Sequence, residues 1–99
     1  MKKRPRHPHP EIYCDFNGRV RDRDFSLEGK GSIADLQKLG LDLKSAVGRR
    51  FTFVSDDADD QGNPDDIMID GIVIYDEQYG YLAHADGDDF YWRSQIADE

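Results

Sequence analysis

The chain has 99 residues, 37% of them hydrophobic and 34% charged, with a formal net charge of −8. That length suits a single domain able to bury a core, and no apolar run approaches membrane-spanning length. One cysteine, Cys14, excludes an internal disulfide and any zinc knuckle built on cysteine pairs.

The net charge conceals segregation. Residues 1–50 carry 12 Lys and Arg against 7 Asp and Glu, whereas residues 51–99 carry Arg93 alone against 14 acids. The two halves are therefore +5 and −13, which sum to −8. A domain that binds nucleic acid directly is expected to be basic, and this one is not. The asymmetry points instead to complementary faces, to a basic protein partner, or to an acidic surface that maintains solubility.

The opening "MKKRPRHPHP" is basic, but no hydrophobic stretch follows it, so it does not read as a secretory signal. Together with the lone cysteine, this places the expected compartment in the cytoplasm. Pro5, Pro8 and Pro10 remove donors and favour extended backbone, which predicts a disordered basic tail over 1–10 ahead of one domain over 11–99.

In "EIYCDFNGRV", Ile12, Cys14 and Phe16 alternate with polar positions, and Asn17-Gly18 suits a type I′ hairpin turn. The return arm is less regular, because "RVRDRDFSLEG" holds five charges before Phe25. "GSIADLQKLG" predicts a short helix capped by Ser32, with Ile33, Leu36 and Leu39 on one face and Gly40 ending it. Leu41 and Leu43 fit either an extended segment or a second helical turn.

From Arg49 onward the pattern is β. "RRFTFV" places Phe51 and Phe53 on one face, and "IMIDGIVIY" is an apolar run suited to a central strand covered on both sides. Gly71 inside that run marks a bulge or a sharp bend. "DEQYG" and Asp86-Gly87 then turn the chain into "YLAHA" and "DFYWRS". The expected fold is mainly β with one short helix: a small half-open antiparallel barrel, SH3-like or OB-like.

"SDDADDQGNPDD" (Ser55 to Asp66) sets six aspartates in twelve residues. Read as a calcium loop, it offers Asp57, Asp59, Gln61 and Asp65 as oxygen ligands around Gly62. The position that calls for a bidentate carboxylate falls on Met68. The alternatives are a solvated turn neutralised by arginines such as Arg49 and Arg50, or a surface for a basic partner. On the partner reading, Asp56, Asp57, Asp59, Asp60 and Asp65 steer a basic protein or peptide. Tyr79 and Tyr91, or Phe90 and Trp92, then anchor it through stacking and cation–π contact.

That reading makes the chain a non-enzymatic interaction module needing no cofactor, with nucleic-acid mimicry by the acidic face as a variant. Calcium binding at the aspartate loop is the main alternative. A small hydrolase built on His84 is the remote one. The basic tail could also dock on the acidic half of its own or a neighbouring chain, giving self-association.

Overall fold

A computed structural model describes residues 9–58, 60–87 and 89–96. Seven strands form one sheet: β1 (Glu11–Tyr13), β2 (Arg19–Arg21), β3 (Asp24–Ser26), β4 (Arg50–Ser55), β5 (Ile67–Asp76), β6 (Gly80–Ala85) and β7 (Tyr91–Trp92). A nine-residue helix α1 (Lys30–Lys38) and a single-turn helix α2 (Leu43–Ala46) join β3 to β4. The sheet order is β1-β4-β5-β6-β3-β2, with β7 pairing β5 beyond the end of β6, and the two outer strands do not pair with each other. The fold is thus mainly β with one substantial helix, on a sheet that does not close.

β5 is the central strand that its apolar run predicts. It pairs β4 along one edge from Ile67 to Ile72 and β6 along the other from Gly71 to Asp76. Ile69 and Val73 on its inner face join Phe51, Phe53, Ala83 and Ala85 in the main core, with Ile12, Leu27 and Leu36. Its outer face is covered near Met68 by Val54, Tyr91 and Ile96.

No bulge interrupts β5 at Gly71, which pairs in register with both Phe51 and Ala85. The glycine is required for a different reason. A Cβ there would overlap the carbonyl oxygen of His84 and press on the Phe53 ring at 3.0 Å.

Two local expectations are corrected. Asn17-Gly18 forms no type I′ hairpin, and neither residue has a positive φ. Asp15 directs the chain otherwise: its side chain accepts from the Asn17 N–H at 3.0 Å and its carbonyl accepts from Gly18 at 2.9 Å, closing a 3₁₀ turn over Phe16–Gly18. β1 consequently leaves β2 and pairs parallel with β4, so the sheet is not wholly antiparallel. The hairpin sits one step later, between β2 and β3, where Arg21 faces Asp24.

Ser32 is the second correction. The helix is capped at Gly29, and Ser32 lies buried in its first turn, donating to the Tyr13 carbonyl at 2.5 Å. It fastens α1 to the β1 edge, together with the Tyr13 N–H donated to Asp35 at 2.8 Å. Gly40 ends α1 with φ +75° as expected, and Leu43 opens the second helical turn under an Asp42–Ser45 capping box.

Gly71→Ala is expected to destabilise the domain by about 3 kcal/mol, because backbone rather than a mobile side chain occupies the space. Gly87→Ala, where a Cβ meets nothing within 4 Å, is expected to be nearly neutral. Urea unfolding of the two variants checks the contrast. Burial, with Asp15 adding to it, pushes the Cys14 thiol up to about 12. Thiol-labelling reagents at pH 8 should therefore leave Cys14 unmodified in the folded chain and modify it fully in denaturant.

Candidate functional site

Tyr13 and Arg19 lie on opposite edges of the sheet yet are joined by the short segment Cys14–Gly18. That connection crosses the seam between the edges and carries Phe16 into it. Phe16 meets Phe25 of β3 at 5.1 Å between ring centroids and Phe90 at 5.2 Å, and Phe25 meets Phe90 edge-on at 6.2 Å. The three rings line a hollow of about 430 Å³ together with Ser55, Asp56 and Asp57, of which the two aspartates are exposed and form its rim. Strand β4 delivers that rim directly, since the aspartate run begins where β4 ends.

The electrostatics of the mouth are negative. Asp56 and Asp57 are exposed, and neither forms an ion pair among the described residues. The nearby Tyr13 hydroxyl is raised above its ordinary value by burial first, with Asp15 and Asp56 adding to the effect. Arg19 is the one cation lining the hollow among the described residues, and its guanidinium stands 5.5 Å from the Phe25 centroid. The floor therefore already accepts a cation over an aromatic face.

The residues singled out in the sequence are dispersed over the surface. Asp56, Asp57 and Phe90 come together at the hollow. Asp59 falls outside the described residues, as do residues 1–8 of the basic tail. Asp60 and Gln61 are exposed in the loop, which is pinned by an Ala58–Pro64 bridge and by the Asp65 N–H donated to the Asp57 carbonyl at 3.0 Å. Asp65 is engaged by Ser94, accepting from its N–H at 3.1 Å and its hydroxyl at 2.6 Å.

Tyr79 lies in the β5–β6 turn under the Arg21 guanidinium, 5.4 Å from its ring centroid. Tyr91 is 4% exposed, and its hydroxyl donates to Asp70 at 2.8 Å, so it anchors the outer core rather than a surface. Trp92 is half-buried beside Ile67. Met68, at the position a calcium loop needs for its last carboxylate, is fully buried. Among the described residues no three His, Cys, Asp or Glu side chains are grouped to hold a metal ion.

The loop is neutralised from an unexpected side. Arg50 begins β4 and Arg49 precedes it, so both lie at the far end of the strand from the aspartates; Arg50 pairs with Asp86. Arg93 does the work instead, donating to Asp66 at 2.8 Å and to both Glu11 oxygens at 2.6 and 3.1 Å. Its guanidinium is held more firmly protonated than usual, chiefly by the Glu11 hydrogen bonds.

His84 belongs to a separate network on the outer face. Its Nδ1 lies 2.6 Å from Asp24, whose other oxygen accepts from Arg21 at 2.8 Å, and Arg21 continues to Asp76 at 3.0 Å. Asp24 is 7% exposed and bridges the His84 imidazole and the Arg21 guanidinium. Such an Asp–His pair orients an imidazole, and His84 does not line the hollow beside Asp56 and Asp57.

Sequence reasoning missed Phe16, Phe25, Arg19 and Asp24. The alternation in "RVRDRDF" signals only that Arg21 and Asp24 come to face each other once a turn is placed at Asp22-Arg23. Comparison with known protein families, curated proteins and solved structures finds no match to this chain.

Asp76 is lowered below its ordinary value, first by the Tyr79 N–H, then by the Gln78 N–H and Arg21. A depressed carboxylate stabilises the fold above about pH 3.8, and that contribution is lost as pH falls through the lower folded value. Asp76→Asn should thus be less stable than the parent at pH 7, and the gap should close on acidification below that point. Urea midpoints measured across the acid range test this.

Proposed function

We propose that this chain is a non-enzymatic interaction module whose acid-rimmed aromatic hollow receives a cationic side chain from a basic protein or peptide. The observation that carries the reading is the coincidence of three mutually packed phenylalanines with Asp56 and Asp57 at one mouth. Aromatic faces attract a cation by their quadrupole, and carboxylates at the rim attract it from further away. Neither group needs to be titrated or to react. Arg19 over Phe25 is an internal example of the same contact and occupies part of the space a partner would use.

The curled, unclosed sheet supports a half-open barrel of SH3-like or OB-like type, with the hollow at its open seam. Asp65, Tyr79 and Tyr91 take no part on this reading, because each is engaged elsewhere, and Trp92 does not line the hollow.

Hexa-arginine peptide is a suitable probe, with hexa-glutamate as control, followed by backbone amide chemical shifts. Binding should shift residues around Phe16, Phe25, Asp56 and Phe90 and weaken with added salt. Asp56→Asn with Asp57→Asn should weaken it about fivefold, in keeping with exposed rim charges. Phe90→Leu keeps apolar volume without the π face and should cost about threefold, while Arg19→Ala should tighten binding. Shifts scattered over every acidic surface and unmoved by these substitutions would sink the proposal.

A further inference from the structure

We propose that the hollow's partner includes a second copy of this chain, docked head to tail, with the basic end of one molecule at the acidic mouth of the next. The inference rests on the reading that the hollow takes cations, and it names the source of one.

The two ends of β4 carry opposite charge. At its C-terminal end stand Asp56 and Asp57 over the aromatic floor. At its N-terminal end Arg49 and Arg50, the latter paired with Asp86, border a second cavity of about 400 Å³, lined also by Leu41, Phe51 and Leu39, which is 44% exposed. Pro10 lines that cavity, and its carbonyl accepts from the Thr52 N–H at 2.9 Å. The chain therefore connects to Lys2, Lys3, Arg4 and Arg6 from the end already marked by Arg49 and Arg50. Sequence-level charge segregation becomes polarity along one strand.

Six residue steps separate Arg50 from Asp56, or about 20 Å at strand rise. To reach its own hollow, the segment before Pro10 would have to double back over that length. Nine residues at about 3.1 Å each could barely span it after making a turn. Pro5, Pro8 and Pro10 fix φ and bias the residues before them toward extended backbone, which opposes such a turn. A neighbouring molecule presents the mouth without any reversal. Lys2 to Arg6 of one copy then supply the cations for the hollow of the next.

The contact joins two different surfaces, so it does not close on itself and allows chain growth. The net charge of −8 on every copy opposes association at long range, leaving only the short-range complementary contact to favour it.

Sedimentation velocity on the full chain tests the proposal, from about 20 to about 400 μM at about 50 mM and about 500 mM salt, which changes the screening length roughly threefold. The weight-average mass should rise with concentration at low salt and revert toward monomer at high salt. Two variants separate the faces: Lys2→Glu, Lys3→Glu, Arg4→Glu and Arg6→Glu together, and Asp56→Lys with Asp57→Lys. Each alone should stay monomeric, and their mixture should form a capped 1:1 dimer, since one retains a working mouth and the other a working basic end.

A parent chain that stays monomeric across the range overturns the proposal, as does a mixture that does not pair. Concentration-independent shifts at Phe16, Phe25 and Phe90, lost with the N-terminal charge reversal, would show the tail bound to its own hollow and would overturn it too. Hexa-arginine titration of the same samples separates the two readings. Specific peptide binding without self-association leaves the cation-binding reading in place, whereas loss of both removes it.

Discussion

Tyr13 ends a strand on one edge of the sheet and Arg19 begins a strand on the other, with only the Cys14–Gly18 connection between them. In a flat sheet those edges would lie five strand spacings apart, about 24 Å. Three extended residue steps and three of 3₁₀ rise cover only about 16 Å. The sheet must curl to accommodate this connection, and the curl forms both the core and the seam. Asp15 stands behind the constraint, because its capping of the 3₁₀ turn shortens the link. A type I′ hairpin at Asn17-Gly18 would have paired β1 with β2 and removed the seam altogether.

A seam between unpaired edges needs covering, and aromatic rings cover much area with few rotatable bonds. Phe16 arrives on the crossing segment, Phe25 from β3, and Phe90 from the stretch before β7. The rings pack at tilted or edge-on angles, and their packing leaves the hollow open on the side where β4 ends. The site is thus a by-product of how the edges are sealed, with the rim charge supplied by the loop that happens to start there. Elsewhere the acids are spent on structure. Asp65 and Asp66 bind the Ser94 and Arg93 segment, Asp70 accepts from Thr52 and Tyr91, and Asp24 and Asp76 hold Arg21. Asp56 and Asp57 are exposed and form no ion pair among the described residues.

The elements readable from sequence were those decided by local chemistry. Phe51 and Phe53 alternate, the Ile67–Tyr75 run is too apolar for an edge, and Gly40 stops a helix by adopting a positive φ. What was not readable depended on contacts distant in sequence. Ser32 looks like a cap until Tyr13 offers it a buried carbonyl 19 residues away. Asn17-Gly18 carries a strong hairpin signal, yet a single carboxylate two residues earlier redirects it. Gly71 resembles a bulge glycine because no sequence pattern reveals that the His84 backbone approaches so closely. The hollow shows the same division. Its acidic rim was visible as a run of aspartates, but its floor unites residues 16, 25 and 90, which no window of sequence brings together.

Arg93 shows how a small acidic fold keeps its carboxylates close without self-repulsion undoing it. The acidic half contains no other Lys or Arg. Placed in the 3₁₀ turn after β7, Arg93 reaches Asp66 at the end of the aspartate loop and Glu11 on β1, tying three segments across the outer face. A bidentate guanidinium–carboxylate contact is stronger and more directional than an ordinary surface pair. This clasp fixes the loop's returning limb at Asp66, beside Asp65 held by Ser94, while Asp56 and Asp57 on the departing limb form no ion pair among the described residues. One arginine, positioned by the last strand, therefore ties the end of the aspartate loop to β1, while Asp56 and Asp57 at the loop's start face outward.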